Sequence, residues 1–171
     1  MFLDYGGEEE LVVKGYDDAS FETDRDDCRS QYGFVYVLNG GEVHCMSSKQ
    51  DTVADSTTEA EYIAACEVAK EGVWIRHFLD DLGILPASVK PLDLYCDNSS
   101  AIAQAKEPRN HHKVRHTDRK YHLIQKNIKN GDVELCKIHT DANVADPLTK
   151  PLPQAKHEGH IRAMGIPCLI D

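Results

Sequence analysis

Residues 56–82, STTEAEYIAACEVAKEGVWIRHFLDDL, carry the longest helical pattern in the chain. Ser56 is a favourable N-cap, and Glu59 stands three residues later, which is the spacing of a capping box. In that motif the serine oxygen and the glutamate carboxylate accept hydrogen bonds from backbone amides that the helix leaves unpaired. Gly83 is a suitable stop, because glycine readily adopts the conformation that ends many helices. The sequence therefore predicts one long helix over residues 56–82.

Two glutamates near the start of this helix differ in their predicted environment. At about 100° per residue, Glu61 lies on the apolar side of the helix and Glu59 on the opposite, solvated side. The apolar side comprises Ala65, Val68, Gly72, Ile75 and Leu79, and the solvated side also carries Lys70, His77 and Asp81. Capping accounts for Glu59, whereas a carboxylate on a buried face is costly unless it is paired or binds a metal. Glu61 is therefore a candidate metal ligand, with pairing to an arginine or a helix-end amide as the structural alternative.

Five segments around this helix have the composition of β-strands. LVVKGY (11–16) is expected to deliver Asp17 and Asp18 at its C-terminal end. Two runs within YGFVYVLNGGEVHCMSSK (32–49) are separated by Asn-Gly-Gly, which predicts a hairpin because these residues tolerate positive φ. PLDLYCD (91–97) and DVELCKIH (132–139) predict two further strands.

The remaining segments predict helices and, with the strands, a fold class. NSSAIAQAK (98–106) predicts a short helix, residues 109–131 a longer one, and NVADPLTK (143–150) the start of a last helix. The order is three strands, a helix, a strand, helices, a strand and a helix. Because the last two strands need crossovers, they are expected to pair in parallel. The sequence thus predicts an α/β fold with a five-stranded mixed sheet, three antiparallel then two parallel strands, flanked by helices.

Length and composition are those of one globular domain that lies inside the cell. The chain has 171 residues, 41% of them hydrophobic and 28% charged, and no apolar run approaches the roughly 20 residues that span a bilayer. The acidic N-terminus does not resemble a signal peptide. We expect a lead-in at 1–10, one domain at 11–154 and a tail at 155–171. The cysteines are scattered singly and are expected to be reduced, and no CxxC motif is present.

Charge is distributed unevenly along the chain. The net charge is −10, yet residues 106–129 carry eight basic and two acidic side chains. His112 and His116 are four residues apart, a spacing that suits zinc on a helix. Surrounding cations would repel that ion, so contact with phosphate is the favoured interpretation. The expected phosphate-binding residues are Lys113, Arg115, His116, Arg119 and Lys120.

Carboxylates are expected to meet at one edge of the sheet. Asp17 or Asp18 closes the first strand, Asp97 closes the fourth, and Asp146 lies in the first turn of the last helix. Together with Glu61 they would repel one another unless cations neutralised them. Oxygen-only ligands suit Mg²⁺ or Mn²⁺ rather than Zn²⁺. Two such ions are a common device for in-line attack on a phosphodiester, so two Mg²⁺ ions, or Mn²⁺ in their place, are expected.

Short motifs around these carboxylates resemble those of ribonuclease H. D-A-S at 18–20 is similar to its D-G-S motif, A-E-Y at 60–62 to A-E-L, C-D-N at 96–98 to T-D-S, and N-V-A-D at 143–146 to N-x-x-A-D. Longer stretches resemble the ribonuclease H region that ends the polyprotein of copia-type LTR retrotransposons. They are GYDDASF, SSKQDTVADSTTEAEYIAACEVAKEGVW, LYCDNSSAIAQAK, RHTDRKYHLI and NVADPLTKPLP, within residues 11–154.

The resemblance implies a ribonuclease H fold and cleavage of the RNA strand of RNA/DNA hybrids during reverse transcription. The catalytic metal ligands it implies are Asp18, Glu61, Asp97 and Asp146, and it selects Asp18 over Asp17, which alternation alone leaves open. The order D, E, D, D disfavours an integrase- or transposase-like polynucleotidyl transferase, whose order is D, D, E. Implied partners are the hybrid and a reverse transcriptase domain of the same polyprotein, in the cytoplasm, a virus-like particle or the nucleus, with no membrane.

Further residues are assigned by this resemblance with less complete matches. Asn98 and Ser99, just after Asp97, are expected to contact the 2′-hydroxyl that distinguishes RNA from DNA. His139 is the nearest candidate for the mobile histidine of cellular-type enzymes, although its spacing to Asp146 is shorter, and a solvent-facing histidine at a strand end is the alternative. The copia-type pattern GYTDAD has threonine where this chain has Asp17, and aspartate where it has Ser20.

A second hypothesis is a catalytically inactive or domesticated domain that acts in nucleic-acid binding or assembly. Its best support is the acidic region from 1 to 30, which has ten acidic and three basic residues. Four intact carboxylates argue against it, because a buried acidic cluster without metal is destabilising.

Overall fold

The computed structural model describes residues 12–23, 26–83, 91–107 and 115–166, and for 115–121 it describes the backbone alone. The strands are β1 (Val13–Ser20), β2 (Gln31–Leu38), β3 (Gly41–Lys49), β4 (Leu92–Cys96) and β5 (Val133–Lys137). The helices are α1 (Thr57–Asp81), α2 (Ser99–Lys106), α3 (Arg115–Asn130) and α4 (Gln154–Ala163). Two 3₁₀ turns, Thr140–Ala142 and Asp146–Leu148, lie between β5 and α4.

The five strands form one mixed sheet in the order β3-β2-β1-β4-β5. β1, β2 and β3 are antiparallel neighbours, whereas β4 pairs in parallel with both β1 and β5. This confirms the predicted architecture. β1 runs further than predicted, because its pairing with β2 continues to Ser20 opposite Gln31. Asp17 and Asp18 therefore lie within the strand rather than beyond its end.

The β2–β3 hairpin turns at the predicted residues. Asn39 has φ +48° and Gly40 has φ +83°, the left-handed conformations that a tight hairpin turn requires. The side-chain oxygen of Asn39 also accepts a hydrogen bond from Val12 N at 2.9 Å, which ties the turn to the start of β1. Local sequence thus fixes the antiparallel half of the sheet.

Helix α1 packs along one face of the sheet with the predicted orientation. All five predicted apolar positions are buried, and Gly83, with φ +65°, follows the last turn. Tyr36 of β2 is completely buried between sheet and helix, and its hydroxyl donates a hydrogen bond to Val68 O at 2.6 Å. Space for its ring exists because Gly15 on β1 and Gly72 on α1 have no side chains. The main core is therefore built between α1–α3 and the centre of the sheet.

Gly72→Ala is expected to destabilise the protein by about 1–3 kcal/mol, because an added Cβ would lie 2.6 Å from the Tyr36 hydroxyl. The gain in helix propensity of about 1 kcal/mol does not offset this overpacking. Gly159→Ala in α4 is the matched control, since no atom lies within 4 Å of its added Cβ, and it should be neutral or stabilising. Urea unfolding measures both variants. Equal stabilities would contradict the close packing of Tyr36.

The opposite face of the sheet is covered by the C-terminal part of the chain. Val35 and Val37 of β2 pack with Val144 and Met164 in a separate cluster. The turn at 146–148 approaches β2 closely, and a Cβ at Gly33 would lie 2.6 Å from Leu148 Cβ. Among the described residues, no helix is both long and apolar enough to cross a membrane.

The prediction that the last helix starts within 143–150 is wrong. Asp146 begins a 3₁₀ turn, and α4 begins only at Gln154, after Pro153 as its N-cap. Pro151 and Pro153 lack the amide hydrogen that a continuing helix needs, and each restricts the residue before it to extended conformations. Asp146 is therefore held by a compact turn rather than by the first turn of a helix.

Candidate metal centre

Three acidic side chains meet where β1 and β4 lie side by side. Asp18 lies near the end of β1, Asp97 directly follows β4, and Glu61 projects from the second turn of α1. Each offers a carboxylate oxygen, and these atoms lie within 4.8 Å of one another. Parallel neighbouring strands bring their carboxyl ends to the same edge of a sheet, which explains why residues 79 positions apart in sequence meet here. This arrangement could hold a hard divalent cation.

Glu61 lies on the buried face of α1, as its helical phase predicted. It is 5% exposed, and among the described residues its Oε2 has no hydrogen-bond partner. Burial, and then the charges of Asp17, Asp18 and Asp97, raise the pKa of Glu61 to about 10. A carboxyl group in this state is stable as an anion only when a cation is bound beside it.

Asp18 is also buried but has two partners from the C-terminal segment. The hydroxyl of Thr149 donates a hydrogen bond to its Oδ2, and Lys150 Nζ lies 3.3 Å from its Oδ1. Burial raises the pKa of Asp18 to about 6, and the Thr149 hydroxyl and the Lys150 charge limit that rise. Asp18 is therefore partly neutralised by the protein itself.

Asp146 is connected to this cluster through a lysine. It is 1% exposed, and Lys150 Nζ lies 2.8 Å from its Oδ1, so one ammonium group bridges Asp18 and Asp146. Partial burial lowers the pKa of Lys150. The hydrogen bond with Asp146 and the charge of Asp18 together raise it by more, so the pKa of Lys150 lies above its ordinary value. Lys156 adds a second contact, with its Nζ 3.4 Å from Asp146 Oδ2 and 2.9 Å from Asp141 Oδ1.

Sequence reasoning missed both lysines and Thr149. The spacing of Asp146 and Lys150, four residues, was the one available indication, since such pairs meet across a helical turn. The contact with Asp18 is between residues 132 positions apart, so no local pattern indicates it. The sequence indicated Asn143 only as the first residue of the N-V-A-D motif at 143–146. Its side chain donates a hydrogen bond to Asp17 O at 2.8 Å and so anchors the 143–150 segment to β1.

Asp17 has a different environment from Asp18. It is completely buried, and neither of its oxygens has a hydrogen-bond partner among the described residues. Burial, followed by the charges of Asp18 and Asp97, raises its pKa well above the ordinary range, although the nearby Cys96 thiol acts in the opposite direction. Side chains alternate along a strand, so the carboxylates of Asp17 and Asp18 lie on opposite faces of β1. The Asp17 carboxylate therefore does not share the contacts that Asp18 makes with the C-terminal segment.

The predicted capping group of α1 is present with one difference. Ser56 is the N-cap, and its hydroxyl accepts a hydrogen bond from Glu59 N at 3.2 Å. The Glu59 carboxylate accepts a hydrogen bond from Asp55 N at 2.8 Å, and Asp55 is the residue before the N-cap. Glu59 therefore has a structural role at the start of the helix, as predicted.

The predicted substrate-binding residues lie in three places. Asn98 caps α2, where its side-chain oxygen accepts from Ser100 N and Ala101 N, both at 3.0 Å, and Ser99 is exposed beside it. Arg115, His116, Arg119 and Lys120 lie on α3, whose backbone is described there without side chains. Lys113 and the proposed zinc residue His112 lie outside the described residues.

His139 lies just beyond β5 and caps the turn at 140–142. Its Nδ1 accepts a hydrogen bond from Asp141 N at 3.2 Å, and its side chain is 79% exposed. His139 thus faces solvent at the end of a strand, as the alternative interpretation predicted. Its assisting role stays a prediction.

The stability of the metal-free protein is expected to fall as pH rises. Folded Asp18 has a pKa of about 6 against an ordinary 3.8, and folded Glu61 about 10 against 4.5, so the folded state binds more protons between these values. The Asp18 contribution is fully present below pH 3.8 and lost by about pH 6, and that of Glu61 is lost between about 4.5 and 10. Each group changes the unfolding free energy by at most about 1.4 kcal/mol per pH unit.

Urea unfolding in EDTA from pH 6 to 9 measures this slope, and Glu61→Gln is the control that should flatten it. A native chain whose stability is constant or increases over this range would contradict the raised pKa of Glu61.

The chain is similar in sequence to retrovirus-related Pol polyproteins of plant transposons. It is 40% identical over 156 residues to that of transposon TNT 1-94 of Nicotiana tabacum, and 31% and 32% identical to those of RE1 and RE2 of Arabidopsis thaliana. Each match covers 91% of this chain but only 10% or 11% of the relative, so the chain spans about a tenth of their length. No protein-family model matches the chain.

Solved structures of similar fold are RNase H domains. The N-terminal RNase H domain of a Mycobacterium tuberculosis protein superposes with a TM-score of 0.56 at 12% identity, over 90% of this chain and 99% of that domain. RNase H1 of Halobacterium salinarum gives 0.54 at 18%, over 80% and 93%. LC11-RNase H1, solved in complex with an RNA/DNA hybrid, gives 0.53 at 14%, over 81% and 93%. At these identities the likeness concerns the fold.

Proposed function

Because the chain is homologous to part of the Pol polyproteins of copia-type retrotransposons and has the ribonuclease H fold, we propose that it is a metal-dependent endonuclease that hydrolyses the RNA strand of RNA/DNA hybrids during reverse transcription. One observation carries the proposal. The oxygens of Asp18, Glu61 and Asp97 converge within 4.8 Å at the edge of two parallel strands, with Asp146 joined to Asp18 through Lys150. A buried acidic cluster of this kind is costly unless it serves to bind cations.

The residues present fit Mg²⁺, with Mn²⁺ as a substitute. The donors are carboxylate oxygens, which hard cations prefer, and the buried Oε2 of Glu61 lacks any hydrogen-bond partner among the described residues. Asp18, Glu61, Asp97 and Asp146 would hold two ions. Such a pair supplies an activated water and stabilises the leaving oxygen of an in-line displacement at phosphorus.

The protein's own residues hold these carboxylates in position before metal binds. Lys150 spans Asp18 and Asp146 and reduces their mutual repulsion, and the Thr149 hydroxyl fixes the second oxygen of Asp18. Asn143 fastens the segment that carries Asp146 to β1. The ligands are thus oriented by packing and hydrogen bonds, which reduces the reorganisation needed on metal binding.

Hybrid binding is assigned to the basic residues within 113–120 and to two polar residues that follow Asp97. Lys113, Arg115, His116, Arg119 and Lys120 would contact the phosphate backbone. Asn98 uses its side-chain oxygen to cap α2, so its amide NH₂ is the group left to donate to a 2′-hydroxyl, with Ser99 beside it. The proposed partners are the hybrid and a reverse transcriptase domain of the same polyprotein, in the cytoplasm, a virus-like particle or the nucleus.

Incubation of the purified chain with a labelled RNA/DNA hybrid and Mg²⁺ tests the proposal. The native chain should cleave the RNA strand and leave duplex DNA intact, and Asp97→Asn should lower the rate at least about 1000-fold, because a metal ligand is lost. Glu59→Gln is the matched control and should retain activity, since Glu59 caps a helix. No cleavage of the hybrid by the native chain, or equal cleavage by Asp97→Asn, would refute the proposal.

The inactive-domain hypothesis gives a different result in the same experiment. A domain retained for binding or assembly would retard the hybrid in a gel without cleaving it, and Asp97→Asn would bind equally well. Adding thermal unfolding with and without Mg²⁺ shows whether the carboxylates still bind the ion, because a ligand that binds only the folded state raises Tm.

A further inference from the structure

Asp17 has no part in the proposed reaction, yet it is among the most buried polar side chains. It is 0% exposed, and both of its carboxylate oxygens lack hydrogen-bond partners among the described residues. The copia-type pattern has threonine at this position. A buried carboxylate without a hydrogen-bond partner is destabilising, so Asp17 is neutral in the metal-free protein and is available as an anionic ligand when a cation binds beside it.

Cys96 supplies a chemically different group next to Asp17. It is the last residue of β4 and is 0% exposed. Its Sγ accepts a hydrogen bond from Asn98 N at 3.4 Å and donates one to Asn98 O at 3.8 Å, and these two contacts orient the sulfur. Oxygens of Asp17 and Glu61 and the sulfur of Cys96 lie within 4.8 Å of one another.

We propose that Asp17, Glu61 and Cys96 form a second, buried metal site that takes a thiophilic divalent cation such as Zn²⁺, Co²⁺ or Cd²⁺. Three protein ligands of mixed carboxylate and thiolate type, with a fourth position for water, match the coordination that Zn²⁺ accepts. A thiolate does not suit Mg²⁺, so the sulfur separates this site from the oxygen-only centre of Asp18, Glu61 and Asp97. The Cys96 thiol loses its proton to solvent when the ion binds.

Glu61 belongs to both sets of ligands, which gives the second site a consequence for activity. An ion held by Asp17 and Cys96 would draw the Glu61 carboxylate toward itself and away from Asp18 and Asp97. This consequence rests on the proposed function: a thiophilic ion would inhibit hybrid cleavage in competition with Mg²⁺. The presence of the site itself does not depend on nuclease activity.

Titration of the reduced, metal-free chain with Co²⁺ tests the site directly. Thiolate coordination produces a near-ultraviolet charge-transfer absorption, which should saturate at one equivalent in the native chain. Cys96→Ala should abolish this absorption, and Asp17→Thr should weaken Co²⁺ binding at least about tenfold, because each removes one ligand. Cys45→Ala, which removes an exposed cysteine on β3, is the matched control and should leave the absorption unchanged.

Asp18→Asn separates the two metal sites. Asp18 belongs to the oxygen-only cluster and is absent from the thiolate cluster, so this variant should retain the Co²⁺ absorption. Circular dichroism and thermal unfolding establish whether each variant is folded. If either Asp17→Thr or Cys96→Ala does not fold, the other variant still tests the site. No saturable absorption in the native chain, or full absorption in folded Cys96→Ala, would overturn the proposal.

Inhibition is measured in the hybrid cleavage assay with Mg²⁺ in excess and Zn²⁺ added at micromolar levels. The native chain should be inhibited, and Asp17→Thr should need at least about tenfold more Zn²⁺ for the same inhibition. A chain that shows the Co²⁺ absorption but cleaves no hybrid would contradict the proposed function and leave the second site standing. A chain that cleaves the hybrid but lacks the Co²⁺ absorption would contradict the second site and leave the proposed function standing.

Discussion

Replacing Glu61 with glutamine is expected to stabilise the metal-free protein and to remove its response to Mg²⁺. The folded pKa of about 10 means that, near neutral pH, folding keeps this carboxyl protonated against its ordinary value of 4.5. Relief from that requirement is worth on the order of 3 kcal/mol, which corresponds to a rise in Tm of roughly 5–10 °C for a chain of this size. The same substitution removes a ligand atom from the cluster of Asp18, Glu61 and Asp97.

Thermal unfolding in EDTA and in Mg²⁺ measures both effects. The native chain should gain stability from Mg²⁺ in proportion to the logarithm of its concentration above Kd, and Glu61→Gln should not. Glu59→Gln, on the same helix, should cost at most about 1 kcal/mol and keep the native response to Mg²⁺. If Glu61→Gln retained the full Mg²⁺-induced shift, Glu61 would not be a ligand.

Replacing Lys150 with methionine is expected to destabilise the metal-free protein. Its ammonium contacts Asp18 Oδ1 at 3.3 Å and Asp146 Oδ1 at 2.8 Å, and both carboxylates are essentially buried. Removing it leaves two buried acids without this partner. Because the lysine is 35% exposed, the loss of stability is reduced by solvent screening to about 1–3 kcal/mol.

Bound Mg²⁺ should restore most of this loss, because the cations then neutralise the same carboxylates. The Mg²⁺-induced rise in Tm should therefore be larger in Lys150→Met than in the native chain. Lys70→Met is the control, since Lys70 pairs with Glu67 at 2.7 Å on α1 in a contact worth no more than about 0.5 kcal/mol. Equal losses in the two lysine variants, or a Mg²⁺ response unchanged by Lys150→Met, would show that the bridge does not neutralise the cluster.

The sequence was sufficient for features that depend on neighbours along the chain. The Asn39-Gly40 turn, the Ser56 cap and the buried phase of Glu61 follow from local backbone preferences and from the 3.6-residue period of a helix. The parallel pairing of the last two strands followed as well, because strands joined by crossover connections pair in parallel. Errors occurred at element ends, where β1 continues to Ser20 and where prolines delay α4 to Gln154.

Contacts across the sheet were decided only by the tertiary structure. The sequence determined a mixed five-stranded sheet and named Asp18, Glu61, Asp97 and Asp146 by motif. The four-residue spacing of Asp146 and Lys150 was consistent with their pairing, but nothing in the sequence indicated that Lys150 would also contact Asp18 or that Asp17 would face Cys96. The physical reason is that periodicity reports which face of an element a residue occupies, whereas the partner it meets there depends on how separate elements pack. Asp18 and Lys150 are 132 residues apart in sequence, and only the packing of separate elements brings their charges together.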